Sequence, residues 1–177
     1  MKASLSLLLV ISLFFFSCNS EDKKTENAAA QTLTQTRPFS HLTLPDTFKV
    51  TLSGNEPKHM IILFRIINHE GKEIFKRELT GVEILDNYKQ SVDLSEAKIQ
   101  RSFIGDEFKL FLDEENFLEP AITADEQADA QSPDHLFFKE LQASGLNGFK
   151  FRIGNENKVY IAWSEKEQQV KVYYTCC

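Results

Sequence analysis

The chain has little cysteine, proline, glycine or tryptophan: 3, 5, 7 and 1 among 177 residues. Three cysteines, two of them adjacent at the end (Cys176, Cys177), exclude a disulfide-dense scaffold. The low Gly and Pro content excludes collagen-like and low-complexity classes. Positive charge is also short. There are 20 Lys and Arg against 26 Asp and Glu, a formal net charge of −6. A protein that neutralises phosphates carries the opposite balance, so no nucleic-acid partner is expected. The longest apolar run, residues 3–16, falls short of the roughly 20 residues that span a bilayer.

Chemistry-bearing motifs are missing too. His41, His59, His69 and His135 form neither His-x-x-x-His nor His-Glu-x-x-His. There is no Gly-x-Ser-x-Gly, and neither terminal cysteine has a histidine nearby. His59 and His69 flank one strand, roughly 30 Å apart if it is straight, too far to share a metal. The sequence therefore points to no catalytic set, no metal and no cofactor, and the expectation is a non-enzymatic protein.

What is present begins with a leader. Lys2 precedes the apolar run, which Ser17, Asn19, Ser20, Glu21 and Asp22 close abruptly, in the pattern of a signal peptide. The stretch Phe15-Phe16-Ser17-Cys18 resembles the lipobox of bacterial lipoproteins, with Ser17 and Cys18 matching and Phe15 and Phe16 departing from the usual Leu and small residue. The resemblance covers the first 18 residues only. It implies that residues 1–17 are removed, that Cys18 is acylated, and that the mature chain is held at a membrane of the bacterial envelope, the outer membrane being favoured. Each buried CH₂ contributes about 0.8 kcal/mol, so several acyl chains make that anchoring nearly permanent. Cleavage near Ser20 without a lipid is the alternative. Residues 19–38 are poor in large apolar groups and read as a flexible tether of roughly 25 Å.

Residues 39–177 read as one domain, suited in size to a modest core filled by many of the 15 phenylalanines. The pattern from Phe39 is largely of period two. Phe48 to Ser53 is a short strand. Met60 to Ile67 is apolar on both faces, which predicts a central strand covered on both sides. Asn68 to Gly71 reads as a hairpin connection to a strand over Glu73 to Leu79. Asp93 with Glu96 suggests a capping box and a short helical turn. Ile99 to Ile104 and Glu107 to Leu112 read as two strands joined at Gly105-Asp106. Glu119-Pro120 marks the end of a strand. A helix is expected from Ser132 as N-cap and Pro133 as first residue, with Leu136, Phe137, Phe138 and Leu141 on its apolar side and Gly145 ending it.

Three alternating segments then form an antiparallel meander. Phe149, Phe151, Ile153, Val159, Ile161, Trp163, Val170, Val172 and Tyr174 make its apolar face, which the preceding helix is expected to cover. The fold class is α+β, mainly antiparallel β, with a β-sandwich carrying an inserted helix as the alternative.

Three constellations are candidate sites. The outward side of the meander carries Lys150, Arg152, Tyr160, Lys171 and Tyr173, residue types favoured at recognition surfaces; a plain solvated face, or one covered by the N-terminal half, is the competing reading. Asp113, Glu114, Glu115, Asp125, Glu126 and Asp129 lie in a long stretch without Lys or Arg. They lack calcium-loop spacing and read as a solvated, mobile loop, with a basic partner as the functional reading. Cys176 and Cys177 read as an incidental terminal pair, or as a vicinal disulfide, an intermolecular link or half of a metal site.

Together these features describe a membrane-anchored envelope lipoprotein whose β-rich domain binds a protein or glycan or serves structurally. An immunity or inhibitor protein that neutralises a basic partner is the alternative.

Overall fold

The computed structural model describes residues 30–154 and 157–176. Cys18, the leader and Cys177 lie outside them. The fold is α+β and mainly antiparallel β: the described residues form two four-stranded antiparallel sheets, three α-helices and two short 3-10 turns.

The first sheet is a meander of β1 (Gln31–Pro38), β2 (Pro45–Ser53), β3 (Ile61–Ile67) and β4 (Glu73–Thr80). β1 corrects the expected tether. Residues 31–38 pair with β2 along their whole length, from Gln31 opposite Leu52 to Pro38 opposite Pro45. Their scarcity of large apolar groups suggests a solvated linker, yet the Thr residues among them are at home on a half-exposed sheet face. β3 lies in the middle of its sheet, with Ile62, Phe64 and Ile66 buried. Its other row, Ile61, Leu63 and Ile67, is only half-buried, so the expected cover on both faces is absent.

The second sheet orders β5 (Phe117–Leu118), β6 (Gly148–Gly154), β7 (Asn157–Ser164) and β8 (Gln169–Cys176). The C-terminal meander is therefore present, with β5 as a short added edge that ends at Glu119-Pro120, where the peptide bond is cis.

The two sheets pack through phenylalanine. Phe48 and Phe64 of the first sheet each lie 5.1 Å from Phe149 of the second, and Phe64 lies 5.8 Å from Phe151. Rings at these separations gain quadrupolar contact beyond the roughly 2–3 kcal/mol each contributes by leaving water.

α1 (Gly81–Tyr88) and α2 (Ala97–Leu110) occupy the connection between the sheets. α1 starts at a Thr-x-x-Glu pattern: the Thr80 hydroxyl accepts from the Glu83 N–H at 3.1 Å. Asp93 instead makes a local turn by accepting from the Ser95 N–H, and Glu96 gives no side-chain cap. α2 replaces the two strands expected over residues 99–112. Ile104, Phe108 and Phe111 are buried at helical spacing, which outweighs the turn signal of Gly105-Asp106.

α3 (His135–Ser144) is the expected helix, displaced at its start. Asp134 rather than Ser132 is the N-cap, accepting from the Leu136 and Phe137 N–H groups at 3.0 Å each. Gly145 ends it at φ 65°, a left-handed conformation that favours glycine. α3 does not cover the apolar face of the meander, which packs on the first sheet. It covers the opposite face, where Phe137, Phe138 and Leu141 meet Ala162 and Tyr173 in a second core. Glu140 fixes it there by accepting from the buried Ser164 hydroxyl at 2.9 Å and from the Lys166 N–H. The second sheet is thus buried on both sides, and this layer of α3 and residues 119–133 positions the candidate site.

Candidate functional site

Strict alternation would place Tyr173 and Tyr174 on opposite faces of β8. The register shows otherwise: Tyr160 pairs with Tyr174, and the next residue, Ile161, pairs with Val172. Tyr173 is the extra residue of a β-bulge, and both tyrosines end on the face of Tyr160. The rings stand edge-to-face, Tyr160 to Tyr173 at 6.0 Å and Tyr160 to Tyr174 at 5.3 Å.

These three rings form one wall of a cleft of about 540 Å³. The segment from Phe117 to Asp129 lines the rest of it, with Glu119, Glu126 and Asp129 as its acidic groups, and Ile122 and, from α3, Phe138 add buried apolar lining. The volume lies in the range of small-ligand sites, and the mixture of apolar surface with a few directed polar groups is their usual lining.

The walls are tied together. The buried Tyr173 hydroxyl donates to the Ala121 carbonyl at 2.9 Å. Burial pushes that hydroxyl's pKa up, with the neighbouring Tyr160 and Glu126 adding to the effect, so it stays a donor. The Tyr174 hydroxyl lies 3.4 Å from Asp129 Oδ2, and the Thr175 N–H donates to the Gln131 carbonyl. Gly148 sits where the segment crosses β6. A Cβ there would stand 2.9 Å from both the Ala121 Cβ and the Tyr173 hydroxyl, so only glycine permits this approach.

The acidic groups are held in part by the segment itself. Glu126 Oε2 accepts from the Thr123 N–H and hydroxyl, and Asp129 Oδ1 from the Gln131 N–H. Among the described residues the ion pairs include none of Glu119, Glu126 or Asp129, and no Lys, Arg or His lines the cleft.

The structure thus joins members of two constellations that the sequence kept apart: Tyr160 and Tyr173 from the meander, Glu126 and Asp129 from the acidic stretch. It disperses the rest. Lys171 is not an open binding residue. Its ammonium lies 2.8 Å from Asp134 Oδ2, also reaches Glu167, and stands over the Phe137 ring, fastening α3 to β8. Tyr173 is buried rather than displayed. Lys150, the cross-strand neighbour of Tyr160, stands beside the cleft without lining it.

Arg152 lies at the far end of β6 in a smaller cavity with Glu107, Asp113 and Glu115. There the Tyr88 hydroxyl donates to Glu107 at 3.1 Å. Burial holds the Glu107 carboxyl above its ordinary range, and Tyr88 and Arg152 offset part of that rise. The Tyr88 hydroxyl is itself pushed up to about 12, chiefly by burial and then by the Glu107 charge. Glu114 pairs with Arg37 of β1, and Asp125 is exposed.

The acidic stretch is not one solvated loop: Ala121, Ile122 and Ser132 are buried within it. His41 and His69, far apart in sequence, have ring centroids 5.6 Å apart. Among the described residues no group of three or more His, Cys, Asp or Glu is arranged to hold a metal ion.

No family model, curated protein or solved structure matches the chain. The functional reading therefore rests on the cleft. The signal that reveals it in the sequence is the Tyr173-Tyr174 pair, which interrupts the period-two pattern of an otherwise regular strand.

Proposed function

We propose that the chain is a lipid-anchored protein of a bacterial envelope whose β-rich domain binds a ligand in the tyrosine cleft without performing chemistry on it. The observation that carries the binding role is the cleft itself: three tyrosines gathered on one wall by a bulge, facing a buttressed segment. Support for the anchor is the leader and the lipobox-like Ser17-Cys18.

Two experiments test this reading. Mass spectrometry of the native protein is expected to show an acylated N-terminal Cys18, and an uncut or lipid-free chain overturns the anchor. A thermal-shift series on the detergent-solubilised lipoprotein, with neutral disaccharides, amino sugars, and basic and acidic tripeptides, tests the cleft. Ligand at a hundredfold over Kd stabilises the fold by about 2.7 kcal/mol. At least one class is expected to raise the Tm of the wild type and not of Tyr160→Ala. Equal shifts in both proteins, or none in either, overturn the cleft as the binding site.

The second reading is an inhibitor that neutralises a basic protein. It is favoured by the acidic charge of Glu119, Glu126 and Asp129 in the cleft and by the exposed Asp113 and Glu115 nearby in the chain. A single stoichiometric basic partner recovered from cell envelopes would support it over a small-ligand role.

A further inference from the structure

We infer that β1 pairs edge to edge with β1 of a second copy of this chain, antiparallel and centred on Thr34. The inference goes beyond the cleft and uses none of its residues.

The first observation is how differently the sheet edges are guarded. An open strand edge presents unpaired N–H and C=O groups, and proteins blunt such edges with charge, brevity or cover. β4 carries Glu73, Lys76, Arg77 and Glu78 among its eight residues. β5 is two residues long. β8 is covered near its end, where the Thr175 N–H donates to the Gln131 carbonyl. β1 has none of these devices. It runs for eight residues in unbroken register with β2, and among the described residues no backbone group bonds to its other side. Two side chains reach its end: Arg37 Nη1 donates to the Thr36 carbonyl and Asn147 Nδ2 to that of Pro38. Its one charged side chain, Arg37, is turned inward, over the Phe117 ring and against Glu114.

The second observation is that the strand is complementary to itself. Successive side chains alternate between faces, so Thr32, Thr34 and Thr36 share one face, and all three are exposed. The Thr32 hydroxyl lies 3.3 Å from that of Thr51 on β2, on the same outward face. Antiparallel pairing about Thr34 sets Thr34 against Thr34 of the second copy and Thr32 against Thr36 of the second copy. On the inward side Leu33 then meets Gln35, and Arg37 meets Gln31. Thr–Thr pairs are favourable across strands, and no like charges of the two strands are opposed. A shift by one residue would set Thr against Leu or Gln and bring outward side chains against inward ones. Such pairing is isologous: the same eight residues serve both copies, and the two first sheets join into one.

The chain leading to β1 permits this arrangement on a membrane. Twelve residues separate Cys18 from Gln31, about 40 Å of chain when extended. In this register the Gln31 residues of the two copies stand about 20 Å apart along the strands. One bilayer can therefore hold both copies, and a shared surface raises their effective concentration. The pairing itself does not depend on the anchor. It is read on whichever N-terminus the cell produces, and a lipid-free chain would overturn the anchor alone.

The test is cross-linking of the full chain in intact cell envelopes with a short bismaleimide. The chain carries Thr34→Cys; the wild type, with its native cysteines, and Glu78→Cys on the β4 edge are the controls. Thr34→Cys is expected to give a species of twice the mass at a yield severalfold above both controls. Adding Thr32→Lys with Thr36→Lys opposes like charges twice and is expected to weaken the pairing by about tenfold. Unchanged melting temperatures show that the variants stay folded. Co-expression with a copy carrying Thr32→Glu, Thr34→Cys and Thr36→Glu is expected to restore the cross-link, now between the two differing copies.

A yield from Thr34→Cys no greater than in the controls overturns the pairing. So does a dimer undiminished by the paired lysine substitutions, since it forms through another register or surface. A product with a protein of different mass assigns the edge to another partner and overturns the second copy.

Discussion

The carboxylate of Asp46 accepts from the backbone N–H of His69 at 2.8 Å while its other oxygen accepts from the N–H of Ser40 at 2.6 Å, and the residue has no solvent exposure. One side chain thereby joins the β1–β2 connection to the β3–β4 hairpin, two loops at the same end of the first sheet. Two backbone donors in part-buried hydrogen bonds depend on it.

Replacing Asp46 by alanine strands both donors. A hydrogen bond to a charged group contributes about 1.5–3 kcal/mol, so Asp46→Ala is expected to lose about 3 kcal/mol. Asp46→Asn keeps one acceptor and is expected to lose less. Urea denaturation of the two variants checks the order. A near-neutral Asp46→Ala would show that the loops hold without this link.

Gly105 lies inside α2, and a Cβ built there meets nothing within 4 Å. Its backbone is helical, so glycine contributes only extra freedom to the unfolded chain. Gly105→Ala is expected to stabilise the protein by about 0.5–1 kcal/mol. A rise in the urea midpoint with an unchanged slope is the expected result; a fall would mean that α2 packs differently around this turn.

Glu107 carries a pH signature. Burial raises its carboxyl pKa in the folded state, so the native protein binds the proton more tightly than the unfolded chain does. Its contribution to stability is therefore largest below the ordinary carboxyl range and falls as pH rises through the raised value. Glu107→Gln removes the charge and keeps an oxygen for the Tyr88 hydroxyl. The variant is expected to be more stable than wild type at pH 7, with the difference vanishing toward pH 4. Thermal melts across that range test it, and a destabilised variant at pH 7 would contradict the assigned direction.

Asp134 behaves in the opposite sense. Lys171 beside it, and the N–H groups of Phe137 and Leu136, hold its carboxyl below the usual range. Its contribution is present at neutral pH and is lost as the solution is acidified through its depressed value. Asp134→Ala removes the cap of α3 and is expected to cost about 1 kcal/mol at pH 7. Asp134→Asn keeps the cap and loses the attraction to Lys171, so it is expected to fall between the two. Equal stability of all three proteins at pH 7 would mean that α3 is held by its apolar contacts and Glu140 alone.

The meander, its turns and α3 were legible because period-two and period-3.6 patterns run through them, broken in β8 only by the Tyr173-Tyr174 pair. The first sheet was legible from β2 to β4. β1 was not, because a strand such as Gln31–Pro38, with Leu33 as its one large aliphatic residue, is stabilised by its neighbour rather than by its own pattern. α2 was misread because Gly105-Asp106 imitates a turn between two short segments, Ile99 to Ile104 and Glu107 to Leu112. The site was half legible. Tyr160, Tyr173, Glu126 and Asp129 stood out by residue type, but nothing local says that residues 117–129 fold onto the meander. That contact depends on Gly148 and on the bulge, both features of tertiary packing.

The bulge at Tyr173 also separates the scaffold from its use. β8 is the last strand of its sheet, so one residue more or fewer there puts no later strand of that sheet out of step. A chain with Tyr173 deleted would still close the ladder between β7 and β8, with Val172 and Tyr174 in ordinary succession, and would have one tyrosine where two now stand. A single codon is thus enough to add or remove one of the wall's three rings while the phenylalanine interior goes on holding the two sheets together.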